Sequence, residues 1–161
     1  MPKAKKKYSE KRPSWDEYFM EMAKIVATRA TCDRLHVGAV IVRDKIVLST
    51  GYNGAPRGLD HCDDSGHELS DGHCVRTVHG EANAIAQAAK SGTSIDSATL
   101  YTTASPCYDC FKLLINAGIK KVICGSFYSG RYGMSENVLR LAKGAGVEIG
   151  FVNDDKNKKN K

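Results

Sequence analysis

The sequence predicts an α/β domain in three layers, with a five-stranded mixed sheet that carries helices on both faces. Segments with the period of an amphipathic helix alternate with short apolar, β-branched segments in the order α-β-β-α-β-α-β-α-β. Only two residues separate the first two β segments, which indicates an antiparallel hairpin. The later strands alternate with helices, so we expect them to run parallel.

Composition predicts one domain with two charged tails. The chain has 161 residues and a net charge of +6, a length typical of a single domain. Residues 1–13 hold six basic residues and one acidic residue, and residues 153–161 hold four and two. We expect both segments to be disordered tails around a domain at 14–152. That body is close to neutral, which argues against specific nucleic-acid binding.

The apolar and cysteine patterns indicate a compartment. No apolar run reaches the length of a membrane span or a signal-peptide core. Two of the six cysteines occur in a P-C-x-x-C motif and others cluster with histidines. This pattern is typical of metal ligands in a reducing environment and not of a disulfide framework. We therefore expect a cytoplasmic protein with no membrane partner.

The first helix is predicted from its cap. Ser14 reads as an N-cap followed by acidic first-turn residues, and apolar residues then recur at helical spacing to near Thr31. The hairpin follows, with strands at 38–43 and 46–50 around an Asp44-Lys45 turn. Five further elements alternate: a helix at 81–90, a strand at 98–102, a helix from the P-C-x-x-C motif to Gly118, a strand at 121–125 and a helix from Ser135 to Lys143. Gly144 should close that helix before a strand at 147–149, and Cys124 is expected to be a plain buried thiol.

Two short motifs predict a catalytic metal site. His79 and Glu81 form H-x-E, and Cys107 and Cys110 form P-C-x-x-C with Pro106. One imidazole and two thiolates are three zinc ligands, which leaves a fourth tetrahedral position for water. The i, i+3 spacing puts both sulfurs on one side of a helix start, whose positive end favours thiolates. A carboxylate beside such a water can move its proton. Both motifs are predicted at strand-to-helix junctions along one sheet edge, where α/β sheets bind ligands.

The segment between Gly58 and Val78 is long for a compact domain, which indicates that it is functional or held by something. Metal ligands could hold it as a closed structural zinc site. The predicted ligands are three cysteines and one histidine: Cys32, Cys62, His67 and Cys74. The alternatives are that His73 or His61 replaces His67, or that no metal is bound.

Together these motifs resemble the deoxycytidylate (dCMP) deaminases of the cytidine deaminase superfamily, from about Trp15 to Val152. The zinc deaminases share an H-x-E and P-C-x-x-C signature. The resemblance rests on four stretches: Cys32 before Val37-Gly38-Ala39, Gly51-Tyr52-Asn53-Gly54, Cys74-Val75-Arg76-Thr77, and Ser105 to Cys110. It implies a cytidine deaminase-like fold and hydrolysis of dCMP to dUMP and ammonia, which feeds thymidylate synthesis. His79, Cys107 and Cys110 would hold the catalytic zinc, and Glu81 would be the proton shuttle.

The resemblance also implies further binding residues and partners. The family often carries a second, structural zinc, and His67 stands where related chains commonly have cysteine. Substrate would meet Asn53 at the sugar and base, Arg34 and Tyr128 near the phosphate (where Arg131 is also available), and Ser105. Many members are hexamers that dCTP with magnesium activates and dTTP inhibits, and the effector residues implied here are Gly51, Tyr52, Gly54 and Gly58. Gly80 replaces the usual alanine, at a cost of up to ~1 kcal/mol in a helix and with no expected loss of chemistry.

Two other functions are compatible with parts of the pattern. A deaminase of the same fold could act on tRNA adenosine or guanine, although the near-neutral body and the long Cys/His loop count against it. A noncatalytic, zinc-stabilised module could bind single-stranded nucleic acid through its tails. That second alternative gives no reason for an open zinc position beside Glu81.

Overall fold

The computed structural model describes residues 12–126 and 136–152. Tyr128, Arg131, Ser135 and most of both predicted tails therefore lie outside the described residues. Five helices and seven strands occur in the described part of the chain: α1 Trp15–Ala27, β1 Gly38–Arg43, β2 Ile46–Tyr52, α2 Cys62–Ser65, β3 Leu69–Ser70, β4 His73–Cys74, α3 Gly80–Lys90, β5 Thr99–Ala104, α4 Tyr108–Asn116, β6 Lys121–Ser126, α5 Glu136–Ala145 and β7 Glu148–Phe151.

The main sheet has five strands in the order β2-β1-β5-β6-β7. Strands β5, β6 and β7 run parallel, as expected from their alternation with helices. Strand β1 is antiparallel to β2 and also to β5, so the expectation of a single antiparallel pairing was incomplete. As a consequence β2 and β5 point the same way, and their carboxyl ends meet at one edge of the sheet.

The sheet is covered on both faces, which confirms the predicted three layers. Side chains of β1 alternate between two cores, as the period of a strand requires. Ala39 and Ile41 pack in the larger core with residues of α3, α4 and α5. Val40 and Val42 pack in the smaller core against Phe19 and its neighbours on α1. Helix α1 thus covers one face and the later helices cover the other.

Helix α1 begins as predicted and ends earlier. Ser14 and Glu17 form a capping box, in which the backbone N–H of each residue donates a hydrogen bond to the side chain of the other. The helix ends at Ala27, whereas the sequence predicted an end near Thr31. The reason is that the Thr31 N–H donates to the carbonyl oxygen of Asn53. This bond ties the chain after α1 to the residue that follows β2 and not to the helix.

The hairpin turn follows the sequence prediction closely. Asp44 and Lys45 have φ of 53° and 63°, the two left-handed residues that a tight hairpin turn requires. Strand β2 extends to Tyr52, two residues beyond the prediction. Helix α5 also extends past Gly144 to Ala145, and Gly146 closes it with φ of 66°. Val147 then donates to the Ala142 carbonyl, so β7 begins only at Glu148.

The long segment before α3 has structure of its own. Gly54 and Val78 exchange backbone hydrogen bonds of 3.2 and 2.8 Å, which close the segment at its base. Between them lie the short helix α2 and the β3-β4 hairpin, whose turn residues Asp71 and Gly72 both have positive φ. The described residues include no helix long and apolar enough to cross a membrane.

Candidate active site and metal centres

Helix α3 carries the H-x-E motif at its first turn. His79 is the N-cap, in an extended conformation, and Glu81 lies in the first turn. The residue before the helix, Val78, is paired with Gly54, two residues past the end of β2. The sequence predicted that this motif lies at a strand-to-helix junction, after the long segment that ends near Val78. The Gly54–Val78 pairing returns the chain to the carboxyl end of β2 after that segment.

Helix α4 carries the two thiols of the P-C-x-x-C motif. Cys107 is its N-cap, and the Cys107 sulfur accepts a hydrogen bond from the Cys110 N–H at 3.4 Å. Strand β5 ends at Ala104, so this motif does lie at a strand-to-helix junction. Because β2 and β5 are parallel to each other, both motifs lie at the same edge of the sheet, where α/β sheets bind their ligands.

The three side chains come together at distances that suit zinc. The Nδ1 atom of His79 is 3.5 Å from the sulfur of Cys107 and 3.4 Å from the sulfur of Cys110. Tetrahedral zinc with ordinary bond lengths to nitrogen and sulfur separates two such ligand atoms by about 3.6 Å. Hydrogen bonds with Cys110 and then with His79 lower the pKa of Cys107, although burial opposes them. The set therefore fits a zinc ion with one position open.

Glu81 lies beside this group and is buried, with 4% of its surface exposed. Burial is the main cause that raises the pKa of its carboxyl group, while the nearby His79 opposes the shift. The Cys124 thiol is also buried, as predicted, and burial raises its pKa to about 12. The Glu81 carboxyl group, which is shielded from bulk water by its burial, is suited to holding and passing a proton.

A cavity of about 500 Å³ opens over the group, within the size range of small-molecule sites. His79, Glu81, Cys107 and Cys110 lie in its wall together with Asn53 and Ser105. Other parts of its wall come from the segment after α1 and from the β4 strand: Cys32, Arg34, Leu35, His73, Cys74 and Val75. The cavity is thus bounded by the H-x-E and P-C-x-x-C motifs on one side and by the long segment on the other.

A second group of metal-ligating side chains occurs among the described residues. Its ligand atoms all lie within 4.8 Å of one another, and its members are Cys32, Cys62, His67 and Cys74. Nδ1 of His67 is 3.6 Å from the Cys32 sulfur, and the sulfurs of Cys62 and Cys74 are 3.5 Å apart. These spacings also match the edges of a zinc tetrahedron, which are about 3.6 to 3.8 Å. Four protein ligands would leave no open position, as in a structural site.

The surroundings of this second group differ from thiol to thiol. Burial and the neighbouring Cys74 raise the pKa of Cys62 to about 12. Burial also acts to raise the pKa of Cys74, but hydrogen bonds led by the Arg76 backbone lower it to about 6. The alternative ligand His61 has its Nδ1 3.0 Å from the Thr31 hydroxyl oxygen. Neither His61 nor His73 belongs to the group.

The predicted substrate residues differ in what they contact. Asn53 is buried; its Oδ1 accepts from the Val37 N–H at 2.7 Å and its Nδ2 donates to the Leu35 carbonyl at 2.8 Å. Arg34 is exposed and donates from Nη2 to the Gly72 carbonyl at 2.8 Å. Ser105 is buried in the cavity wall. Tyr128 lies outside the described residues.

The residues predicted to bind effectors lie within one short segment, and two of them, Gly51 and Gly54, also take part in packing or backbone pairing. A Cβ on Gly51 would meet the backbone of Gly80 and Ala84 within contact distance, so strand β2 and helix α3 pack there with no side chain between them. Gly54 forms the bridge to Val78. Gly58 has φ of 84° in open space. Tyr52 is 37% exposed.

Several residues at or beside the site were not among those predicted, and Leu113 and Asp33 are two of them. Leu113 lines the cavity, and its position three residues after Cys110 on α4 could have indicated this, because i and i+3 share a helix face. Asp33 accepts from Nε2 of His67 at 3.0 Å. The only signal for Asp33 in the sequence is that it follows Cys32 directly.

Comparison with protein families gives one match over most of the chain. The profile described as the cytidine and deoxycytidylate deaminase zinc-binding region matches residues 13–126. The match includes all seven side chains of the two metal-ligating groups.

Curated relatives agree with that match. ComE operon protein 2 of Bacillus subtilis is 44% identical over 144 residues, which cover 89% of this chain and 74% of that protein. The deoxycytidylate deaminase of Saccharomyces cerevisiae is 38% identical over 144 residues, with 86% of this chain covered. The match spans only 45% of the yeast protein, so this chain corresponds to less than half of it.

A solved structure has the same architecture. The dCMP deaminase of cyanophage S-TIM5, crystallised with dCMP and dUMP, superposes with a TM-score of 0.75 at 33% sequence identity. The match covers 89% of this chain and 100% of the phage chain.

Proposed function

The chain belongs to the cytidine and deoxycytidylate deaminase family, and on that premise we propose that it hydrolyses dCMP to dUMP and ammonia. One observation carries the proposal: His79, Cys107 and Cys110 meet at zinc-ligand distances beside the buried Glu81, in a cavity of nucleotide size. The named deoxycytidylate deaminases among its relatives support dCMP as the substrate.

The proposed mechanism assigns proton transfer to Glu81. Zinc, when bound by His79, Cys107 and Cys110, supplies a Lewis acid that makes water reactive near neutral pH. The Glu81 carboxylate accepts a proton from the attacking water and passes it to the ring nitrogen N3. A further proton passes to the departing amine, the bond from C4 to nitrogen breaks, and a C4 carbonyl remains. Burial of Glu81 keeps bulk water from competing for these protons.

Substrate contacts are assigned on position and chemistry. Arg34 would bind the 5′-phosphate, because a guanidinium has five N–H donors and, among the described residues, only the hydrogen bond from Nη2 to the Gly72 carbonyl uses one of them. Asn53 would use its remaining Nδ2 hydrogen toward the sugar or base, since its Oδ1 is taken by Val37. Ser105 would contact the base from the cavity wall. Tyr128 is proposed from the family resemblance alone.

A second zinc ion is also proposed, held by Cys32, Cys62, His67 and Cys74. The closed four-ligand set and its tetrahedral spacings support a structural role. Six free cysteines support a reducing compartment, so a cytoplasmic location is proposed with it.

Regulation and assembly are proposed from the family resemblance. Activation by dCTP with Mg²⁺ and inhibition by dTTP would act through the Gly51, Tyr52, Gly54 and Gly58 segment, which leads from β2 toward the cavity. A homo-hexamer is the proposed assembly.

The test is ammonia release from dCMP, with deoxycytidine and dCTP as parallel substrates. Each substrate is assayed without an added effector, with added dCTP and Mg²⁺, and with added dTTP. We expect turnover of dCMP, and a change in rate with the two nucleotides if the regulation is retained. Turnover that ignores both nucleotides would remove the regulatory proposal and keep the enzyme. A zinc-loaded protein that releases no ammonia from any cytosine nucleotide would refute the proposed function.

A further inference from the structure

The second metal group and the substrate cavity share a wall. Cys32 and Cys74 are ligands in that group and also line the cavity above Glu81. Arg34, Leu35 and His73, which flank those two cysteines, line it as well. The second group therefore lies next to the place where a nucleotide would bind, and the presence or absence of its metal can change how tightly the nucleotide is bound.

Two consecutive side chains connect this wall to the long segment. The carboxylate of Asp33 lies 3.0 Å from Nε2 of His67, while Nδ1 of the same ring faces the Cys32 sulfur at 3.6 Å. Arg34 donates to the Gly72 carbonyl at 2.8 Å, in the turn between β3 and β4. Asp33 thus contacts the ligand histidine, and Arg34 contacts the hairpin that ends in the ligand Cys74.

The geometry at His67 matches a known device of metal sites. A ligating histidine donates its second ring N–H to a carboxylate, which fixes the tautomer and the ring orientation. If Nε2 of His67 donates to Asp33, the other ring nitrogen, Nδ1, is the one that faces the Cys32 sulfur as a metal ligand. Asp33 is exposed, and its carboxylate meets the metal group at Nε2 of His67, so we expect its effect on that group to act through His67.

We propose that Asp33 is a positioning residue for the second metal, and that occupancy of this site sets how tightly the chain binds dCMP through Arg34. The second half rests on the proposed function. Zinc bound by Cys32, His67 and Cys74 would hold the stretch from Cys32 to Leu35 against the β3-β4 hairpin, with Arg34 in the cavity wall. On the far side, Asn53 holds the same stretch through Leu35 and Val37. Loss of the second zinc releases one side of Arg34 and leaves Glu81 and the first metal group in place.

The test compares Asp33→Ala with Asp63→Ala in the zinc-loaded protein. Asp63 is the matched control, because it follows the proposed ligand Cys62 as Asp33 follows Cys32, and its side chain is exposed in the first turn of α2. Zinc release is followed with a chromophoric chelator. We expect Asp33→Ala to bind the second zinc about 10- to 100-fold more weakly, the usual effect of removing a hydrogen-bond partner of a metal ligand. Asp63→Ala should behave as the unmodified protein, and Asp33→Asn, which can still accept the N–H, should be intermediate.

Kinetics then test the link to substrate. In Asp33→Ala stripped of the second zinc, KM for dCMP should rise about tenfold, as for loss of one hydrogen bond to a charged group. The kcat for dCMP should be unchanged, and kcat/KM for deoxycytidine should change little because it has no phosphate.

Equal zinc release from Asp33→Ala and Asp63→Ala would overturn the positioning role. An unchanged KM after loss of the second zinc, or an equal loss with deoxycytidine, would overturn the link to phosphate. Absence of dCMP turnover in the unmodified, zinc-loaded protein would refute the proposed function and with it the substrate half, while the zinc-release comparison would still decide the role of Asp33.

Discussion

Glu81 is a buried carboxylate two residues from His79, a proposed zinc ligand, and this position makes its role testable apart from the metal. Its side chain is not among the ligand atoms that meet at His79, Cys107 and Cys110. Glu81→Gln keeps the size of the side chain and removes its ability to accept a proton. We expect kcat for dCMP to fall by roughly a thousandfold, within the usual contribution of general acid–base catalysis, while zinc remains bound.

The measurement pairs ammonia release with zinc content for the Glu81→Gln protein. A protein that keeps its zinc and loses turnover assigns the loss to proton transfer. Turnover near that of the unmodified chain would contradict the role given to Glu81. Loss of zinc together with turnover would instead mean that Glu81 supports the metal site.

At the level of single residues, the sequence predicted which potential ligands group together better than it predicted their other contacts. Histidine and cysteine at short fixed spacings are typical of metal sites, and the side chains predicted in this way do form two groups. The role of Asp33 could not be predicted in this way. Its partner His67 is 34 positions away, and an exposed aspartate has no distinguishing pattern in the sequence. Similarly, Asn53 was expected to contact substrate, and only the structure reveals that two of its atoms hold Leu35 and Val37.

The contact between β2 and α3 is an element-scale feature that holds the catalytic motif in place. Strand and helix approach so closely that a Cβ on Gly51 would meet the backbone at Gly80 and Ala84. Gly51→Ala must push α3 away, and we expect a loss of about 3 kcal/mol in the free energy of unfolding. Because α3 begins beside His79, dCMP turnover should fall as well.

Gly80→Ala is the matched control, because it adds the same methyl group on the other side of that contact. Its Cβ would lie 3.2 Å from the Val37 carbonyl oxygen and 3.4 Å from that of Gly51, a tight contact that small shifts can relieve. The gain in helix propensity, up to ~1 kcal/mol, offsets this cost. Denaturant unfolding should therefore separate the two variants by more than about 2 kcal/mol, and equal stabilities would contradict the close packing.

Most elements of the fold could be predicted from local patterns. The capping box at Ser14 and the two left-handed residues at Asp44 and Lys45 are short-range signals, and both elements begin or turn where expected. The end of α1 and the extension of β2 to Tyr52 could not be predicted, because each depends on a distant partner. Thr31 bonds Asn53, and strand β1 pairs with β2 along its full length. The long segment was read as a loop because its β3 and β4 strands are only two residues each.

At the scale of the molecule, the second metal group joins parts of the chain that are far apart in sequence. It connects Cys32, after α1, with Cys62 and Cys74 in the long segment. Cys62→Ser should reduce the zinc content from about two ions per chain to about one. The segment should then become sensitive to trypsin at Arg57 and Arg76, since less of it is held.

The control for that variant is Cys124→Ser, which also replaces a buried thiol but lies outside both metal groups. Its zinc content should stay at about two per chain. Zinc analysis and timed proteolysis provide the readouts. About one zinc in the unmodified chain, or an unchanged content in Cys62→Ser, would contradict a second site.

The distribution of charge leads to a prediction for the whole chain. Most of the basic excess lies at residues 1–13 and 153–161, and the body between them is close to neutral. Removing residues 1–11 and 153–161 should leave kcat and KM for dCMP unchanged, because the family match that includes both groups of metal-ligating side chains spans residues 13–126. The same truncation should abolish retention on a heparin column at low salt, since such binding depends on counterion release by clustered cations. Each tail removed singly is the control, and a rise in KM on removal of either tail would show that it contributes to the substrate site.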